Sequence, residues 1–146
     1  MKKLILLAAL TACGCAYAQN WVVLSDNKNS PDASNGRILN QIDVASIYER
    51  DGYRKVWTMT SNFPPIKYPL EKTLLLGSTV TLNMIDCKKQ TFSFLVLSFF
   101  PLPYGQGTTS DTSTTNFTDA MKQMSLAPPK SFARLMIEVA CAYPLK

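Results

Sequence analysis

Polar and apolar positions alternate with a period of two over several stretches of this chain, and the pattern turns helical only near the C-terminus. Trp21-Val22-Val23-Leu24-Ser25 is a short β-rich run and predicts a first strand. Residues 26–36, rich in Asn, Ser, Pro, Asp and Gly, predict a loop. Arg37 to Asp43 predicts a second strand. Asp43-Val44-Ala45-Ser46-Ile47 then predicts a tight turn, in which Asp43 caps backbone N–H groups two or three residues on. Asp51-Gly52 is a hairpin signal. Tyr53 to Thr60 predicts a third strand, with Tyr53, Lys55, Trp57 and Met59 on one face. Pro64, Pro65 and Pro69 predict an exposed connection over 62–69, because proline cannot donate to a ladder.

Residues 71–76 fit a brief strand or a helical turn equally well, and Gly77-Ser78 predicts a break after them. Thr79 to Cys87 alternates again, with Val80, Leu82 and Met84 on one face and Lys88-Lys89-Gln90 as the following turn. Phe92 to Phe100 is apolar at nearly every position and predicts a central strand covered on both faces. Residues 101–116 predict a long loop with a low-complexity second half. Residues 121–126 predict an edge strand, ended by Pro128-Pro129. Phe132, Leu135, Met136 and Val139 recur at helical spacing, so a helix is expected from Ser131 to Ala142. Hairpin turns between most strands predict an α+β domain: an antiparallel β-sheet with one C-terminal helix packed on it.

Composition narrows the chemistry. The chain has 146 residues and no histidine, which removes Ser-His and Cys-His catalysis, the common zinc sites and His-ligated haem. The formal charge of +5 includes Lys2 and Lys3, and the remaining basic residues form no cluster of the kind a nucleic-acid binder carries. The first 18 residues look like a secretory leader. Met1-Lys2-Lys3 is charged, Leu4 to Leu10 is apolar, and Ala16-Tyr17-Ala18 is a small-x-small cleavage site. Leu10-Thr11-Ala12-Cys13 offers a second reading, with Cys13 lipidated and the protein held at the outer membrane. Both readings export the chain, to the periplasm or the cell surface, and residues 19–146 form its domain. Of four cysteines, Cys13 and Cys15 fall in the leader. Cys87 and Cys141 remain and predict a single disulfide in an oxidising compartment.

An ordered set of motifs resembles the surface-adhesin protein E family of Gram-negative bacteria. Asp43 with Ser46-Ile47 looks like its Asp-x-x-Ser-Ile turn, and Gly52 to Met59 with Trp57 like its next strand. Asp86-Cys87 before an aromatic strand, Tyr104-Gly105-Gln106-Gly107, and Cys141 after an apolar helix follow in the family's order. The resemblance implies an antiparallel sheet with a C-terminal helix and a disulfide between the two matched cysteines. It also implies binding of host matrix or serum proteins through a basic segment before the first cysteine. Here only Lys67-Tyr68 matches that segment. Haem binding is attributed to the family as well, yet without histidine it would need Tyr or Met ligands, and no cofactor or metal is expected.

No P-loop, paired CxxC or Ser-centred motif is present, and Asp43 and Asp86 are expected to serve turns rather than act as an acid/base pair. The sequence thus predicts a non-enzymatic binding protein. Its expected contacts are Lys67, Tyr68, Lys88, Lys89, Tyr104 and Gln106, made to a protein partner and not to nucleic acid. Membrane contact is expected only through a lipidated Cys13, and a homodimer is left open. The alternative is a periplasmic or envelope accessory domain with a bacterial partner.

Overall fold

A computed structural model describes residues 19–28, 36–68 and 71–145. The expected leader, with Cys13, lies outside the described residues, as does the side chain of Tyr68. Eight strands form one antiparallel sheet: β1 (Trp21–Asp26), β2 (Arg37–Asp43), β3 (Tyr48–Arg50), β4 (Tyr53–Tyr68), β5 (Glu71–Asp86), β6 (Thr91–Phe100), β7 (Asp111–Thr114) and β8 (Ser125–Leu126). Their order is β1-β2-β4-β5-β6-β7, with β3 on β4 and β8 on β6. Helix α1 (Phe117–Lys122) precedes β8, and α2 (Phe132–Ala142) ends the fold. Among the described residues no helix is long and apolar enough to cross a membrane.

The expected α+β architecture is present, but the strands run differently in four places. First, β4 does not stop at Thr60. It continues through the prolines to Tyr68, as β5 does through Gly77-Ser78. Pro64 and Pro65 fit because they fall between the paired Ser61↔Ser78 and Ile66↔Leu76, where the β4–β5 register shifts and no ladder N–H is required. Second, β4 and β5 are the central strands. β6 lies beyond them, flanked outside only by the short β7 and β8, and its side chains are mostly half-buried. Third, residues 111–114 of the expected loop pair with β6 as β7. Fourth, α1 runs into the expected edge strand and takes its first two residues, Met121 and Lys122. Asn116 caps it by accepting a hydrogen bond from the Asp119 N–H at 3.0 Å, leaving only Ser125–Leu126 as strand.

Pairing register assigns the faces. Val56, Ile85 and Ile42 pack with Met136, Ile137 and Ala140 of α2 in the main core cluster. Ser131 caps α2 through its Oγ, which accepts from the Arg134 N–H at 3.2 Å. Two devices then hold the other end of the helix. Cys87, after β5, is bonded to Cys141 with a Cα–Cα distance of 5.7 Å. The Arg54 guanidinium donates to the carbonyls of Ala140 (3.3 Å) and Tyr143 (2.8 Å), placing a cation on the unsatisfied C-terminal carbonyls.

The opposite face carries Tyr53, Lys55, Trp57, Met59 and Ser61 of β4, as the alternation predicts. Phe117 of α1 covers one end of this row, edge-on to Tyr53 at 5.6 Å. The bend at 101–106 covers the other end and meets Ser61 and Ser78.

Candidate binding surface

Two turns shape the end regions of the sheet, and side-chain hydrogen bonds explain their sequences. In the turn after β2, Asp43 Oδ1 accepts from the N–H groups of Ala45 (3.1 Å) and Asn20 (2.9 Å). Ser46 Oγ donates to the Asp43 carbonyl and accepts from the Trp57 N–H, locking the turn against β4. Asp43 is therefore a cap. Asp86 is one too, since its Oδ1 accepts from the N–H groups of Lys88 and Lys89, both at 3.0 Å.

The second turn is the Tyr104–Gly107 bend. Ser78 Oγ donates to the Leu102 carbonyl (2.7 Å) and accepts from the Gly105 N–H (2.8 Å), while Ser61 Oγ accepts from the Tyr104 N–H (3.0 Å). These bonds hold Tyr104 at φ 60°, a left-handed conformation that costs a residue with a Cβ about 1 kcal/mol. The bend is thus docked on the sheet, and Tyr104 is displayed from it, 46% exposed. Its ring lies 5.3 Å from that of Phe63, over which the Arg37 guanidinium also sits, 5.2 Å from the centroid, in a cation–π contact.

Arg37 is anchored in turn by Asp26, with guanidinium–carboxylate distances of 3.0 and 2.8 Å. The hydrogen bond from Arg37 holds the Asp26 carboxyl below its ordinary value, against a smaller desolvation effect. A carboxylate with a depressed pKa stabilises the fold above its unfolded value, and this contribution is lost as pH falls through the folded value. The stability difference between the wild type and Asp26→Asn is accordingly expected to be constant above about pH 5 and to close under more acid conditions. Parallel thermal melts across that range measure it, and a gap that persists at low pH would contradict the assignment.

The predicted contact residues do not converge on one patch. Lys67, Tyr104 and Gln106 are exposed near one end of β4 and β5. Lys88 and Lys89 are exposed on the turn after β5, at the other end. Lys67 faces Leu75 in the ladder, eleven residues before Asp86 at the end of β5, so it is separated from the Lys88-Lys89 turn by roughly 35 Å or more. Sequence reasoning also missed apolar members of the first group. Ile66, Leu75 and Leu102 are 43%, 49% and 47% exposed there. Their exposure follows from the continuation of β4 and β5, which the prolines and Gly77 concealed. A cavity of about 640 Å³ lies elsewhere, between Gln19-Asn20, the start of β3 and residues 143–145. Its one carboxylate, Glu49, is paired with Arg54 at 3.2 Å. Among the described residues no group of three or more His, Cys, Asp or Glu is placed to hold a metal.

The family model for surface-adhesin protein E matches residues 21–142, which span both turns, the disulfide and α2. The chain belongs to the surface-adhesin protein E family. No curated protein matches it significantly. Among solved structures, Haemophilus influenzae protein E has a similar fold, with a TM-score of 0.50 and 15% identity over 71% of this chain and 78% of that one. Within this family member, the Asp-x-x-Ser-Ile and Tyr-Gly-x-Gly segments are the two hydrogen-bonded turns just described.

Proposed function

We propose that this chain is an exported, non-enzymatic adhesin that binds a host matrix or serum protein through the bend end of its sheet. Family membership supports the adhesin reading. The observation that carries the choice of surface is the display of Tyr104 at φ 60° at the end of the sheet where Leu102, Ile66 and Lys67 are also exposed. An ordered aromatic, exposed aliphatic side chains and a rim cation are the ingredients of a protein-binding hot spot. A strained residue held by surrounding hydrogen bonds is also a recurrent feature of recognition sites. Lys88 and Lys89 supply charge at the other end of the sheet, so their role is long-range attraction.

The test is binding to a panel of matrix and serum proteins at low and high salt. Lys67→Ala with Tyr104→Gly is expected to weaken binding about tenfold or more. Tyr104→Gly removes the ring while relaxing the left-handed backbone, so the fold is retained. Lys88→Ala with Lys89→Ala is expected mainly to slow association and reduce its salt dependence. Absence of binding across the panel, together with a specific cross-link to a bacterial envelope protein in native cells, would favour the accessory-domain alternative. Mass analysis of the mature N-terminus separates cleavage before Gln19 from acylation of Cys13, and with it soluble export from outer-membrane anchoring.

A further inference from the structure

We propose that Trp21, Asp43 and Trp57 form a binding site for a small organic ammonium group, on the sheet face opposite α2. Trp21 pairs directly with Asp43, so both side chains share that face. Gln41 pairs with Met59, and Asp43 and Trp57 each lie one alternation step further, which puts Trp57 on the same face. The carboxylate therefore stands between two indoles, one on β1 and one on β4. Two strand spacings separate those strands by about 10 Å, so a cation midway lies within the roughly 6 Å reach of cation–π attraction to both. A cavity of about 220 Å³ opens here, lined by these three residues with Gln19 and Val80. That is ample for a trimethylammonium group. The site lies between the two covers of this face, α1 over Tyr53 and the 101–106 bend over Ser61.

The electrostatics call for a cation. Asp43 is 6% exposed. Its two hydrogen bonds, from Asn20 and Ala45, both reach Oδ1, and among the described residues no basic side chain pairs with it. A buried carboxylate normally has an ionic partner. The nearest ammonium on this face, Lys55, is committed elsewhere, 5.9 Å from the Tyr48 ring and 5.5 Å from the Phe117 ring. Asp43 lines the cavity, and its Oδ2 has no hydrogen-bond partner among the described residues. Two indoles and a carboxylate oxygen without a protein partner favour an ammonium over a neutral group of the same shape.

The site carries its own reporter. The chain has only two tryptophans, and both belong to it. Titrating the mature protein with tetramethylammonium at constant ionic strength is expected to change the intrinsic fluorescence saturably, with a midpoint on the order of 1 mM. The neutral isostere neopentyl alcohol is expected to give no saturable change. Trp21→Leu, read through Trp57, is expected to weaken the response at least tenfold. Asp43→Asn keeps an acceptor for the turn and is expected to abolish the preference for the cation. If that variant does not fold, as judged by circular dichroism, Trp21→Leu and the isostere carry the test. No response to tetramethylammonium, an equal response to the alcohol, or an unchanged response in Trp21→Leu would overturn the proposal. Free choline and phosphatidylcholine vesicles, compared in parallel, distinguish a solute from a lipid headgroup, and binding of either supports the site. The site is independent of the adhesin surface, so host-protein binding and ammonium binding stand or fall separately.

Discussion

Reducing the Cys87–Cys141 bond, or replacing Cys141 by Ser, is expected to lower the melting temperature by roughly 10–15 °C. The bond joins residues 54 apart in sequence. Removing the cross-link returns that loop to the unfolded chain, which costs about 4 kcal/mol in the chain-entropy model. Against a typical net stability of about 5–15 kcal/mol this is a large fraction. The native contacts of α2 survive the change. Met136, Ile137 and Ala140 remain on the sheet, and Arg54 still holds the carbonyls of Ala140 and Tyr143. The protein should therefore stay folded when reduced, with a lower midpoint, and combining Cys141→Ser with Arg54→Ala should free the helix end. Thermal melts with and without reductant provide the measurement. An unchanged curve would show that the cross-link contributes nothing to stability.

Gly77→Ala is expected to cost about 3 kcal/mol and to displace the binding bend. A Cβ at residue 77 would stand 2.3 Å from the Leu102 carbonyl carbon and 2.5 Å from the Pro101 oxygen. Both are backbone atoms, so no side-chain rotation relieves the contact. The backbone at 101–102 must move away, which strains the bonds from Ser78 Oγ to Leu102 and from Gly105 to Ser78. Tyr104 then loses its fixed position. Denaturant unfolding should show the lower midpoint, and amide exchange should show loss of protection at Tyr104 and Gly105. Host-protein binding should fall with it, while the tetramethylammonium response at Trp21 and Trp57 persists. A variant with wild-type stability and protection would mean that the bend does not pack on Gly77.

The same glycine marks the limit of what was legible beforehand. As a local signal Gly77-Ser78 reads as a break, and Pro64-Pro65 as the end of a strand. Both signals are correct about local chemistry. Proline lacks an N–H, and glycine weakens a strand interior. Their consequences depend on neighbours. The prolines sit where the register with β5 shifts and no donor is missed, and the glycine sits where another chain segment approaches too closely for a side chain. The candidate contacts had the same difficulty. From sequence, Lys67 and Lys88 are both expected to contact one partner, yet continuous β4 and β5 carry them to opposite ends.

Sequence alone determined what local physics decides. The period of two set the strand faces, Ser131 and the spacing from Phe132 set α2, and Asp43 announced its own turn. Excluding the leader left Cys87 and Cys141 to pair, as they do. Tertiary structure alone decided how far β4 and β5 extend, where the Tyr104 bend docks, and which residues meet across strands. Trp21, Asp43 and Trp57 are far apart in the chain and become neighbours only through the β1–β2–β4 register. Register depends on long-range pairing, and that pairing is written in no single stretch of residues.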